Sequence, residues 1–157
     1  MKDIVVKKLK ERGASIEEMA ELVFELQKDY LDITMDEAIQ NVKGVLDKRE
    51  VQNAILTGLE LDRLAEEGLI EEPLLSIIQN DKSLYGIDEV LALSITNVYG
   101  SIGFTNFGYL DKIKIGIIGK VDKLGKTTDQ VHTFLDDLIS GIVAAACARI
   151  AHSHGDN

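Results

Sequence analysis

The sequence predicts an all-α, single-domain bundle of about six to eight helices around a central, buried C-terminal helix. Three observations predict it. The 157 residues include one Pro and no Trp, with 45% apolar and 28% charged side chains, a composition rich in helix formers and poor in breakers. No stretch keeps the every-second-residue alternation of a half-buried strand; residues 113–121 come nearest, and Gly116 and Gly119 weaken them. The last segment, Leu135 through Ala148, is apolar nearly all round apart from its acidic start, as a helix enclosed by others would be. One domain over residues 1–157 is long enough to bury such a core.

The elements follow in order. Residues 3–12 read as a short helix stopped by Gly13. Ser15 opens the next, with Glu18 completing a capping box and Ile16, Met19, Ala20, Val23 and Leu26 at helical spacing. Thr34, paired with Glu37, opens a third helix that runs to Gly58 or through it to Gly68. Pro73 takes the first turn of a helix through Ile78. Residues 80–86 are a turn-rich loop, and Asp88 and Glu89 enter a helix over about 88–99. Gly100, Gly103 and Gly108 break up the following segment into a short helix, and Gly116, Gly119 and Gly125 loosen residues 111–130. Thr133 caps the last helix, with Asp136 in the capping-box place, and that helix runs to about Ala151.

Charge narrows the function. A net charge of −10 repels nucleic acid. Cys147 is the single cysteine, so no intrachain disulfide forms and a cytoplasmic home is expected. No apolar stretch of signal-peptide type follows Met1. Residues 90–110 carry no charge, but Ser94, Thr96, Asn97 and several glycines make them too polar to span a bilayer. They are expected to be buried in protein instead.

Chemistry concentrates in two acidic pairs, Asp88–Glu89 and Asp136–Asp137. Each stands in a helix first turn ahead of a long uncharged stretch. The helix dipole favours carboxylates there, yet adjacent positions point about 100° apart, so at least one member of each pair faces inward. Asp137, Ser140, Gly141, Ala144 and Ala148 form a stripe of small residues, and Asp88, Ala92 and Thr96 form another. Helices meeting along such stripes would gather two to four carboxylates, which do not all stay ionised without a cation. Oxygen-only ligands point to Mg²⁺ or Mn²⁺. Service as simple caps and dipole partners is the competing reading of the same pairs. Lys112, Lys114, Lys120, Lys123 and Lys126, set against Asp111 and Asp122, either hold a phosphate or anionic headgroups or form a solvated loop. His132, four residues before Asp136, is a candidate proton donor or substrate contact, or a surface residue.

Three segments carry a resemblance. Residues 81–89, Asp-Lys-Ser-Leu-Tyr-Gly-Ile-Asp-Glu, resemble the Asp-Pro-x-x-x-x-x-Asp-Glu motif of the phosphatidylglycerophosphatase A family. Residues 107–114 resemble its Phe-Arg-x-Phe-Asp-x-x-Lys-Pro motif, and residues 135–141 its Leu-Asp-Asp-Ile-x-Ala-Gly motif. The likeness is greatest to the family's soluble, YutG-like branch. It implies an all-helical bundle around one central helix and Mg²⁺-dependent hydrolysis of the phosphomonoester of phosphatidylglycerophosphate. By position it implies an acidic site of Asp81, Asp88, Glu89, Asp111, Asp136 and Asp137, with Lys114 as the phosphate contact. Asp88, Glu89, Asp136 and Asp137 are the expected metal ligands. Lys82 and Ile115 stand where the family has Pro, and Gly108 where it has Arg. The expected partner is a phosphorylated small molecule or lipid headgroup; peripheral membrane contact and a homo-oligomer stay open. The rival expectation is a non-catalytic helical binding or regulatory module that keeps the acidic cluster.

Overall fold

A computed structural model gives the fold and describes residues 1–155. Among them nine helices follow one another without a strand: α1 Lys2–Glu11, α2 Ile16–Gln27, α3 Met35–Leu46, α4 Arg49–Glu66, α5 Leu74–Gln79, α6 Ile87–Asn97, α7 Ser101–Ile113, α8 Ile117–Thr127 and α9 Leu135–Gly155. The two capping boxes form as their sequences require: Ser15 accepts the Glu18 amide at 3.2 Å and Thr34 accepts that of Glu37 at 3.2 Å.

The architecture is the expected one, with α9 at its centre. Residues 134–148 are all buried, and Leu138, Ile142 and Ala145 are fully so. Helices α6 and α7 lie side by side on α9, and α2, α3, α4 and α8 close around the rest. The apolar periodicity of α9 has no polar side because every side has a neighbour.

Boundaries differ where tertiary contacts compete with local signals. The third predicted helix is two, broken at Asp47 and Lys48, where the Gln52 side chain donates to the Leu46 carbonyl at 2.8 Å and satisfies the end of α3. Pro73 lies just before α5 rather than in its first turn. Of the glycines expected to interrupt residues 100–130, Gly100 and Gly116 do so, each with positive φ just ahead of α7 and α8, whereas Gly103, Gly108, Gly119 and Gly125 sit inside those helices. Three of these four are points of close approach, Gly108 being the exception: a Cβ at Gly103 would meet the Thr96 side chain at 3.1 Å, and one at Gly125 would meet His132 Cβ at 3.0 Å. Residues 90–110, expected to be buried, are buried on one side only. They form the outer hairpin, and Val90 and Tyr109 are 61% and 51% exposed.

The start of α9 is also not capped as the sequence suggests. The Thr133 hydroxyl donates to the Ile78 carbonyl at 2.6 Å. The cap comes from α4: Asp62, fully buried, accepts the Phe134 and Leu135 amides at 3.0 Å each. Burial pushes its carboxyl well above the usual range, against the pull of those amides and of Arg12. Asp62→Ala would strand two buried amides at the mouth of the central helix. The expected result is a loss of roughly 2 kcal/mol or more in a denaturant titration.

Candidate acidic site

The site forms where the N-termini of α6 and α9 meet the C-terminal end of α7. The small stripes do bring the two helices together: a Cβ on Gly141 would come within 2.8 Å of the Ala92 carbonyl oxygen. That close crossing sets the first turns of α6 and α9 side by side. Asp88, Glu89 and Asp137 converge there, with one carboxylate oxygen of each within 4.8 Å of the others. Two of these acids come from one pair and one from the other, although about 48 residues separate the pairs.

The electrostatics follow from the packing. Asp137 is buried, and burial first, then the neighbouring Asp136, Asp111 and Asp88, push its carboxyl up to about 10. Burial and the adjoining Glu89 push Asp88 up to about 7. Glu89 is held below its ordinary value by its contact with Asp88. One Glu89 oxygen, Oε2, is buried with no hydrogen-bond partner. Three crowded carboxylates with an orphaned oxygen and no internal cation among them fit a hard divalent ion, which would supply the missing positive charge.

Asp136 points elsewhere. It was expected among the metal ligands, but its carboxylate bonds the Lys114 ammonium across the turn between α7 and α8. Burial raises Asp136 to about 6, although Lys114 opposes the shift. Lys114 adopts a left-handed backbone, φ 50°, at the end of α7, which turns its side chain back toward α9. It also reaches Asp122 at 3.2 Å and Asp111 at 4.0 Å. Burial disfavours its charge, but Asp136 and Asp122 outweigh burial and hold it firmly cationic. Asp111 is thus drawn in from the end of α7. Asp81 lies in the α5–α6 loop, exposed, where it lines a cavity of about 450 Å³ with Asp122, Lys126 and His132.

His132 is buried, and its Nδ1 lies 2.6 Å from the Val121 carbonyl. The charged groups that act on it are Arg12 and Glu66 rather than Asp136. Burial lowers its proton affinity. Two acids escaped the sequence reading. Asp122 was treated as a counter-charge to the lysine run but helps to hold Lys114. Asp62 had a legible signal: Ile55, Leu59, Asp62 and Ala65 share one helical face, so a carboxylate occupies a core position of α4. At Gly108, where the resembled family has Arg, an added Cβ would meet nothing within 4 Å.

Comparison with known proteins finds relatives along most of the chain. The sequence model described as Phosphatidylglycerophosphatase A matches residues 6–152. The uncharacterized protein YutG of Bacillus subtilis is 58% identical over 146 residues, which span 92% of this chain and 87% of that protein. The solved structure of the low temperature requirement C protein from Listeria monocytogenes superposes with a TM-score of 0.94 at 52% identity, over 99% of this chain and 97% of that one. A protein of unknown function from Bacillus stearothermophilus gives a TM-score of 0.93 at 55% identity, covering 98% and 94%. Among the described residues no helix is long and apolar enough to cross a membrane.

Proposed function

The chain belongs to the phosphatidylglycerophosphatase A family, and from that premise we propose that it is a divalent-metal-dependent phosphomonoesterase acting on a lipid headgroup of the phosphatidylglycerophosphate type. The observation that carries this reading is the convergence of Asp88, Glu89 and Asp137, with the cationic Lys114 held beside them by Asp136.

Asp88, Glu89 and Asp137 would hold Mg²⁺ or Mn²⁺, which when bound supplies positive charge and Lewis acidity toward a phosphoryl oxygen. Lys114 balances charge on a second phosphoryl oxygen. Asp136 and Asp122 orient Lys114 by gripping it from two sides. On this reading Asp136, which contacts Lys114 and adjoins Asp137, would take a proton from an attacking water. Asp111 and Asp81 complete the acidic rim, and His132 supports the cavity wall on the side of Asp81. On this reading the chain works in the cytoplasm, in peripheral contact with the membrane that presents such a headgroup.

The glycine at position 108 favours the second reading, a non-catalytic module that keeps its acidic cluster. One assay separates the two. Phosphate release from a short-chain phosphatidylglycerophosphate should require Mg²⁺ or Mn²⁺ and stop with EDTA. Lys114→Ala should lower kcat/KM by about 10²-fold or more, since it removes a charge-assisted contact worth roughly 3 kcal/mol. Absence of metal-dependent release from the parent, in a folded sample that still binds the ion, would select the second reading.

A further inference from the structure

We propose that the outer face of the α6–α7 hairpin is a self-association surface on which a second copy of this chain docks as a two-fold dimer. Both helices pack inward on α9 and against one another, so their exposed residues turn away from the core. Of the exposed large apolar side chains, seven lie from Ile87 to Ile113, which concentrates them on this one hairpin. Val90, Val98, Ile102, Phe104 and Tyr109 are 61%, 40%, 47%, 39% and 51% exposed. Contiguous exposed apolar surface on a folded domain marks an interaction site.

Charge selects the occupant. The chain carries −10, so two copies repel one another over most of their surface. Residues 90–110 carry no charge in a chain in which 28% of residues do. This is where identical copies meet without placing like charges opposite each other, and depletion of charge is what distinguishes the core of an interface. An anionic bilayer is a poorer match for this face, because residues 90–110 offer no basic side chain to its headgroups.

A second observation concerns Gly108. It sits within α7, exposed, where glycine is among the poorest helix formers. Its φ is not positive, and an added Cβ would meet nothing within 4 Å. No contact inside the chain calls for a glycine there, unlike Gly103 and Gly141. Thr105 and Ser101 lie on the same exposed side. A small, uncharged strip flanked by Ile102 and Tyr109 suits the close approach of a helix from outside.

The proposal stands independently of the phosphatase reading and is tested without it. Light scattering and sedimentation velocity on the full chain at micromolar concentration should give twice the 17.3 kDa chain mass. Gly108→Glu and Thr105→Glu should each give the monomer mass, with helical circular dichroism retained and, for Gly108→Glu, a melting temperature of the separated chain that does not fall. Tyr30→Glu, on an exposed residue outside the hairpin, should stay dimeric. A parent chain that is monomeric across the concentration range, or a dimer that survives both substitutions, overturns the proposal. So does a monomer that sediments with phosphatidylglycerol vesicles and releases them on Gly108→Glu, because the face would then belong to a membrane.

Discussion

Asp137→Asn is expected to abolish the rise in melting temperature that Mg²⁺ or Mn²⁺ gives the parent chain, and to make the metal-free protein more stable at pH 8. Asp137 is buried beside Asp88 and Glu89, and its carboxyl is pushed from an ordinary 3.8 up to about 10 by burial and then by its acidic neighbours. Between those two values the folded chain holds a proton that the unfolded chain has released. The contribution of Asp137 to metal-free stability is therefore full below about 3.8 and is lost as pH climbs toward 10. A bound cation offsets the cost of the buried negative charge, so its stabilisation grows as pH rises and the competing proton is easier to displace. At a hundredfold excess over Kd a ligand of the folded state adds about 2.7 kcal/mol, or roughly 5–10 °C for a chain of this size. Scanning fluorimetry of parent and variant from pH 6 to 8, with and without metal, checks all three parts. If the carboxylates served only the helix dipole, Asp137→Asn would cost about 0.3–1 kcal/mol and metal would change nothing.

Ala145→Asp is expected to leave the protein unfolded or aggregated. Ala145 is fully buried at the middle of α9, with Ile142, Val143 and Ala146 equally buried around it. No free basic side chain occupies that stretch of the core, so the new carboxylate stays neutral at a high cost or opens the packing to water. An uncompensated buried charge costs several kcal/mol, which approaches a typical total of about 5–15 kcal/mol. Loss of the cooperative thermal transition, read by circular dichroism, is the expected outcome. An unchanged melting temperature would show that this face of α9 lies outside the core.

Most of the helical pattern was legible because its signals are local. The capping boxes at Ser15 and Thr34 and the apolar stripe of α2 need only neighbours along the chain. The central place of α9 was legible too, since a helix without a polar side has to be enclosed. Glycines misled for a physical reason. A glycine weakens a helix by about 1 kcal/mol, but at Gly103 it also lets a second helix approach, as the small stripe at Gly141 predicts for its own helix, and the packing gained exceeds the loss. Capping of α9 was hidden because its donor, Asp62, stands 72 residues before Phe134.

The acidic site divides along the same line. By itself the sequence determined that each carboxylate pair stands in the first turn of a helix and that at least one member turns inward, because adjacent helical positions point about 100° apart. It also placed Lys114 in a lysine run that resembles a phosphate contact. Only the tertiary structure decided which members meet. The crossing of α6 and α9 at Ala92 and Gly141 brings Asp137 to Asp88 and Glu89. The left-handed turn at Lys114 brings its ammonium to Asp136. That division rests on a crossing point and a backbone angle, and both are set by packing between helices far apart in the chain rather than by any residue's own preference.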